Sequence, residues 1–132
     1  MSETLSVPVV IIGAGGTGLC AALAVADSGQ EVLVIERDST PLGTTAMSTG
    51  LIPAAGTPEQ AAEGIEDSPE LFAEDIARKT KGRADPAMAL NIARESAETV
   101  SWLRDKHGVP LDLLGGFTYP GHSVRPSAQA AN

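Results

Sequence analysis

The chain has 132 residues, enough for one modest domain, with ordinary hydrophobic content and four aromatic residues, Phe72, Trp102, Phe117 and Tyr119. Its formal net charge of −8 argues against sequence-independent nucleic-acid binding, which needs clustered Lys and Arg. Cys20 is the sole cysteine, so no internal disulfide or cysteine-based metal site is expected, and its place in the first helical stretch suits a small buried thiol.

Residues 1–7 read as a lead-in. The apolar run Val7–Ala26 superficially resembles a secretion signal, but Met1–Ser6 carries no positive charge and a glycine motif accounts for the run. A cytoplasmic chain with no membrane span is therefore expected. Val9–Ile12 is apolar and β-branched, the pattern of a strand buried on both faces of a parallel sheet. It leads into Gly13-Ala14-Gly15-Gly16-Thr17-Gly18, which fits G-x-G-x-x-G. A helix is predicted from Thr17 to about Ser28, stopped by Gly29, and then a strand from Glu31 to Glu36.

Each part of this unit has a mechanical reason. Gly13 permits the turn out of the strand, Gly15 lets a pyrophosphate approach the backbone, and Gly18 lets the helix lie close to the sheet. Free N–H groups at the helix start, with the positive end of the helix dipole, hold phosphate charge. Glu36 lies 18 positions past Gly18, close to the spacing of about 20 for an acid that accepts hydrogen bonds from ribose hydroxyls. Glu36 would repel a 2′-phosphate, although Arg37 beside it works the other way.

Residues 39–57 are small and rich in Gly, Ser and Thr, as suits a loop running beside a ligand. Pro58 to Gly64 is predicted as a short helix capped by Thr57, and Ser68-Pro69-Glu70 starts another that ends at Gly82. In the latter, Leu71, Phe72, Asp75 and Ile76 fall on one side, and Lys79 and Lys81 suit its C-terminal end. Asp85-Pro86 starts the longest helix, to about His107, with Met88, Leu90, Ile92, Ala93, Ala97, Val100, Trp102 and Leu103 as its packed positions. No functional ionisable cluster is expected on these helices; their charges, with Glu63, Glu66 and Asp67, read as a solvated face. His107 reads as a surface residue compatible with the helix dipole. Val109 to Leu114 reads as a short strand, followed by a tail, and no internal repeat or metal-ligand spacing appears.

Three stretches together carry a family likeness: the glycine fingerprint with Glu36-Arg37; Gly43-Thr44-Thr45-Ala46-Met47-Ser48-Thr49-Gly50-Leu51-Ile52; and Tyr119-Pro120-Gly121-His122-Ser123-Val124-Arg125. The second is similar to the flavin loop G-G-[ST]-T-A-x-S-G-G-x-[IV], and the third to a G-H-S-x-x-R element. On these the chain resembles the N-terminal part of the FAD-dependent fumarate reductase / succinate dehydrogenase flavoproteins, including 3-ketosteroid dehydrogenases. It departs from the family pattern at Leu42 and Thr49, where the loop has glycines, and at Arg125, which comes one position early, before Pro126.

The resemblance implies an α/β fold: a Rossmann-like FAD-binding βαβ unit with a parallel sheet and a helical extension, incomplete alone. It divides the chain into a βαβ unit and flavin loop (7–57), a helical segment (58–108) and a tail bearing a site element (109–132). FAD contacts are implied for Gly13, Gly15, Gly16, Thr17, Gly18, Glu36, Arg37, Gly43, Thr44, Thr45, Ser48, Thr49 and Gly50. His122 would bind a substrate carbonyl or carboxylate and Arg125 would clamp it; the alternative for His122 is a loop histidine satisfied by backbone. The implied chemistry is hydride transfer between flavin N5 and a carbon of an activated C–C bond, in an FAD-dependent oxidoreductase with a small-molecule substrate. Because a lone βαβ unit leaves a parallel sheet uncovered, a second polypeptide completing the FAD and substrate domains is expected. Two other readings stay open: an NAD-binding Rossmann domain, and a non-catalytic interaction subunit.

Overall fold

A computed structural model describes residues 4–116 and 118–124, together with the backbone of 128–130. The chain divides into two compact units at Thr49/Gly50.

The first unit is a βαβ element. Strand β1 (Val9–Ile12) pairs in parallel with β2 (Val32–Ile35), in the register Val9 with Val32 through Ile12 with Ile35. Helix α1 (Gly16–Asp27) connects them and packs on both. Its start is one residue earlier than predicted, because Gly15 already takes the extended N-cap conformation. The strand faces differ from expectation. Val9 and Ile11 are partly covered and alternate with Val10 and Ile12, which are 49% and 87% exposed. The run is β-branched throughout, but a two-stranded sheet covered by one helix buries one face only. Cys20 is likewise half-buried rather than buried.

The second unit contains β3 (Leu51–Ile52), α2 (Pro58–Ala62), α3 (Pro69–Lys79), α4 (Pro86–Asp105), β4 (Leu111–Asp112) and β5 (Ala128–Ala130). The strands form an antiparallel sheet in the order β3-β5-β4. Its outer strands fall where the sequence predicted a loop and a longer strand, and its centre where the sequence predicted a tail. Each helix begins with the combination the sequence carries: a capping residue, then proline at the first position. The Ser68 hydroxyl accepts the Leu71 N–H at 3.1 Å and the Asp85 carboxylate accepts that of Met88 at 2.9 Å. Thr57 makes a full capping box with Gln60, both wholly buried.

Helices α3 and α4 pack together. One apolar cluster joins Phe72, Ala93 and Ala55, with Ala73 and Ile76 against it. A second joins Ala54, Val100 and Leu111, with Ile52, Leu103 and Val109. The packed face of α4 runs through Ala89, Ala93 and Val100, while Met88 and Ile92 stand more than half exposed, contrary to their predicted burial. Small residues win these positions because a close helix pair admits alanine where a longer side chain would overfill the gap. Ser96 adds a polar link, its hydroxyl accepting the Ala55 N–H at 3.1 Å and donating to the Ala93 carbonyl at 2.7 Å. His107 packs edge-on against the Trp102 ring, with centroids 4.5 Å apart.

Candidate cofactor and substrate sites

In the first unit the predicted glycines come together at the end of β1. Gly13 turns with φ +100°, open to glycine at no steric cost, and its N–H donates to the Ile35 carbonyl at 2.7 Å. A Cβ on Gly18 would lie 2.0 Å from the Gly13 carbonyl oxygen, so only glycine allows helix and strand this close. A Cβ on Gly15 would meet nothing within 4 Å, which leaves open space over the start of α1.

Glu36, at the end of β2, reaches back to this turn. Its Oε2 accepts the Ala14 N–H at 2.7 Å, and its Oε1 accepts those of Arg37 and Asp38 at 2.8 and 3.1 Å. The Ala14 bond first, and the others with it, hold its carboxyl below the ordinary range. A carboxylate has about four acceptor positions, so these three bonds leave room for a hydroxyl donor. Arg37 points elsewhere, exposed and ion-paired with Asp38 at 3.2 Å.

The loop after β2 returns to the same place. Gly43 approaches Gly15, and the Ala46 N–H donates to the Gly43 carbonyl at 3.0 Å. The Thr45 hydroxyl accepts the Gly16 N–H at 3.2 Å. Among the described residues, the Thr17 and Gly18 N–H groups have no protein acceptor. Gly15, Gly16, Pro41, Gly43, Thr45 and Ala46 thus line an open cleft of about 210 Å³. Thr44, Ser48 and Thr49 are exposed on this loop, and Gly50 lies in the other unit. Backbone donors, the helix start and a free acceptor position on Glu36 fit a pyrophosphate-linked nucleotide.

The second unit holds His122. Its ring lies against Phe72, with centroids 4.8 Å apart, and near Tyr119, at 5.5 Å. Burial pushes its pKa below the ordinary value, against the opposing pull of Asp75 and Asp67. The imidazole is therefore neutral near pH 7, able to accept or donate one hydrogen bond. Arg125 lies outside the described residues.

The sequence missed one feature here. Asp75, 2% exposed, belongs to a linked group with Arg78 and Ser123, and Asp67 bonds Gln60 at 2.8 Å, so these charges are not all a solvated face. Burial raises the Asp67 carboxyl above its ordinary value against its hydrogen bonds. For Asp75, burial acts in the same direction, but the bonds from Ser123 and Arg78 outweigh it and hold the carboxyl below the ordinary range. The available signal was an acid on the apolar side of α3, in line with Phe72 and Ile76. No group of three or more His, Cys, Asp or Glu fit to hold a metal occurs among the described residues. No helix among them is long and apolar enough to cross a membrane.

A strand, glycine turn, helix and parallel strand closed by an acid define a Rossmann-like dinucleotide-binding protein of the α/β class. The family model of the FAD binding domain matches residues 8–129, and the chain belongs to that family. The cofactor this family binds is FAD, which answers the NAD alternative. The chain is 37% identical over 98 residues to a fumarate reductase (cytochrome) of Shewanella frigidimarina, covering 74% of this chain and 17% of that protein. It is 35% identical over 121 residues to a urocanate reductase of Eggerthella lenta, covering 92% of this chain and 20% of that protein. Among solved structures, the open conformation of a flavocytochrome c3 fumarate reductase matches 96% of this chain and 22% of its own, with TM-score 0.80 and 29% identity. A 3-ketosteroid-delta4-(5alpha)-dehydrogenase from Rhodococcus jostii RHA1 matches 93% and 30%, with TM-score 0.74 and 29% identity. The chain thus spans about a fifth of the length of the curated relatives it matches.

Proposed function

We propose that this chain is the front portion of the FAD domain in a flavin-dependent oxidoreductase acting on C–C bonds, similar to the fumarate reductases. The observation that carries the reading is the Gly13–Gly18 turn held from two sides, by the Glu36 carboxylate through the Ala14 N–H and by the Thr45 hydroxyl through the Gly16 N–H, with an open cleft between the turn and the Thr45 loop. The Gly15–Gly18 backbone takes the pyrophosphate, Glu36 takes a ribose hydroxyl, and the Gly43–Gly50 segment runs beside the flavin. When bound, FAD supplies hydride exchange at N5 with a carbon next to an activated C–C bond. His122, neutral and half-buried, donates a hydrogen bond to a carbonyl or carboxylate of the substrate, and Arg125 clamps its charge.

Val10, Ile12 and Ile35 stand open on the β1–β2 sheet. This supports a further part of the fold covering them, on a second polypeptide or the same one. The assembled protein retains flavin, seen as its visible absorbance, and reduces fumarate or urocanate with a reduced dye as donor. Gly15→Val fills the open space over α1 and removes the flavin absorbance. An unchanged flavin content in Gly15→Val, or a colourless assembled protein, overturns the reading and leaves a non-catalytic interaction subunit in its place.

A further inference from the structure

A carboxylate at 2% exposure is costly unless every acceptor position it turns inward is used. Asp75 uses both oxygens. Its Oδ2 accepts the Ser123 N–H at 2.6 Å, and its Oδ1 accepts the Ser123 hydroxyl at 2.6 Å and pairs with Arg78. The Arg78 guanidinium donates in turn to the Gly121 carbonyl at 3.1 Å and to the Ser123 hydroxyl oxygen at 3.0 Å. The main chain is therefore gripped immediately before His122, at Gly121, and immediately after it, at Ser123. Between those two points the imidazole rests on Phe72 and borders a cavity of about 190 Å³ that Ile76, Lys79, Thr80 and Tyr119 also line.

The arrangement is more than local solvation of a charge. An acid whose task was only to cap or pair on α3 would be satisfied by Arg78 on its own helix. Here all the remaining bonds reach a segment more than 40 residues away in sequence, and they fall on the two neighbours of the one histidine the site employs. We propose that Asp75, with Arg78, is a positioning residue that fixes the backbone on both sides of His122 and thereby presents the imidazole at this cavity. The role given to the imidazole there rests on the reading of His122 as a substrate-binding group; the clamp itself does not.

The test uses the assembled flavoprotein and diethyl pyrocarbonate, which acylates accessible neutral imidazoles, with the modified peptides read by mass spectrometry. Asp75→Asn keeps the shape but loses a charged acceptor. It should label His122 about tenfold faster, as expected for losing a hydrogen bond to a charged group, while His107 keeps its rate. Ser123→Ala removes one leg of the clamp, leaves Asp75 in place and gives a smaller rise. The double variant labels no faster than Asp75→Asn alone, because the two residues act as a unit. Flavin content stays constant while kcat/KM for fumarate falls in both single variants. If Asp75→Asn does not fold, the Ser123→Ala labelling rate decides. An unchanged His122 rate, or single-variant effects that add in full, overturns the proposal. If the clamp variants free His122 but His122→Gln leaves turnover intact, the clamp stands and the substrate-binding reading falls.

Discussion

Gly15 and Gly18 occupy one turn and serve opposite ends. A Cβ on Gly18 would meet the Gly13 backbone carbonyl, which has no rotamer to escape by. Gly18→Ala must therefore push α1 away from β1, and flavin-free protein should lose about 1–3 kcal/mol, the usual cost of overpacking, read by denaturant unfolding. The contrast with Gly15→Val is the point: that side chain enters open space, so its thermal unfolding without flavin should match the wild type. One variant separates the cofactor from the fold, and the other couples them. Acid stability is set by single residues too. The lowered His122 pKa means that the unfolded chain takes up this proton first as pH falls, so the second unit loses stability from about pH 6.5 downward. Asp75, also lowered, contributes fully above the ordinary carboxylate value of 3.8 and is lost only as pH falls through its own depressed value. Asp67, raised, has the opposite sign: the folded chain takes its proton first, which offsets part of the loss on the way down to 3.8. The melting temperature should begin to fall just below pH 6.5, and His122→Gln should flatten that first step.

At the scale of elements, the caps are the most exposed test of how local chemistry sets structure. Thr57 and Gln60 exchange two hydrogen bonds, at 3.2 Å and 2.9 Å, and both residues are wholly buried. Thr57→Ala should cost about 1–2 kcal/mol, near the upper end because the lost cap is buried, and chemical denaturation measures it. These caps were legible in the sequence, as were β1, α1 and β2, because Ser, Thr or Asp followed by Pro and the glycine fingerprint act within a few residues of themselves. The β3-β5-β4 sheet was not legible. It pairs Leu51 with Gln129 and Leu111 with Ala130, and nothing in either short segment encodes a partner so far along the chain. The face of α4 was half legible. Its spacing was right, but Met88 and Ile92 outrank Ala89 in hydropathy while the close contact with α3 selects for size. Asp75 was hidden for a related reason: beside Arg78 on its own helix, its acceptors are filled by Ser123, 48 positions away, so the sequence offered an acid on an apolar side with only one of the donors that explain it.

For the molecule as a whole, the first unit is the informative part, because its sheet is finished on one side only. Ile11 faces α1, where a Cβ on Gly18 would touch it at 3.4 Å, and Val9 shares that side. Val10 and Ile12 point the other way and remain open, Ile12 at 87% exposure. A parallel two-stranded sheet with one bare apolar face is marginal in water, and its β-branched outward residues have the composition of an interior rather than of a solvated surface. The proposal that further sequence of the FAD fold covers this face makes a prediction that depends on context. In the isolated 132-residue chain, Ile12→Glu replaces a solvent-exposed side chain and should change unfolding free energy by no more than about 0.5 kcal/mol, the range of an ordinary surface substitution. In the assembled flavoprotein the same change would bury an unpaired carboxylate against apolar neighbours. Flavin content and yield of the assembled protein should then drop sharply, while Leu42→Glu, at another exposed apolar position of the same unit, leaves assembly unaffected and serves as the control. A tolerated Ile12→Glu in the assembled protein would mean that this face stays in solvent, and the covering partner would have to be given up.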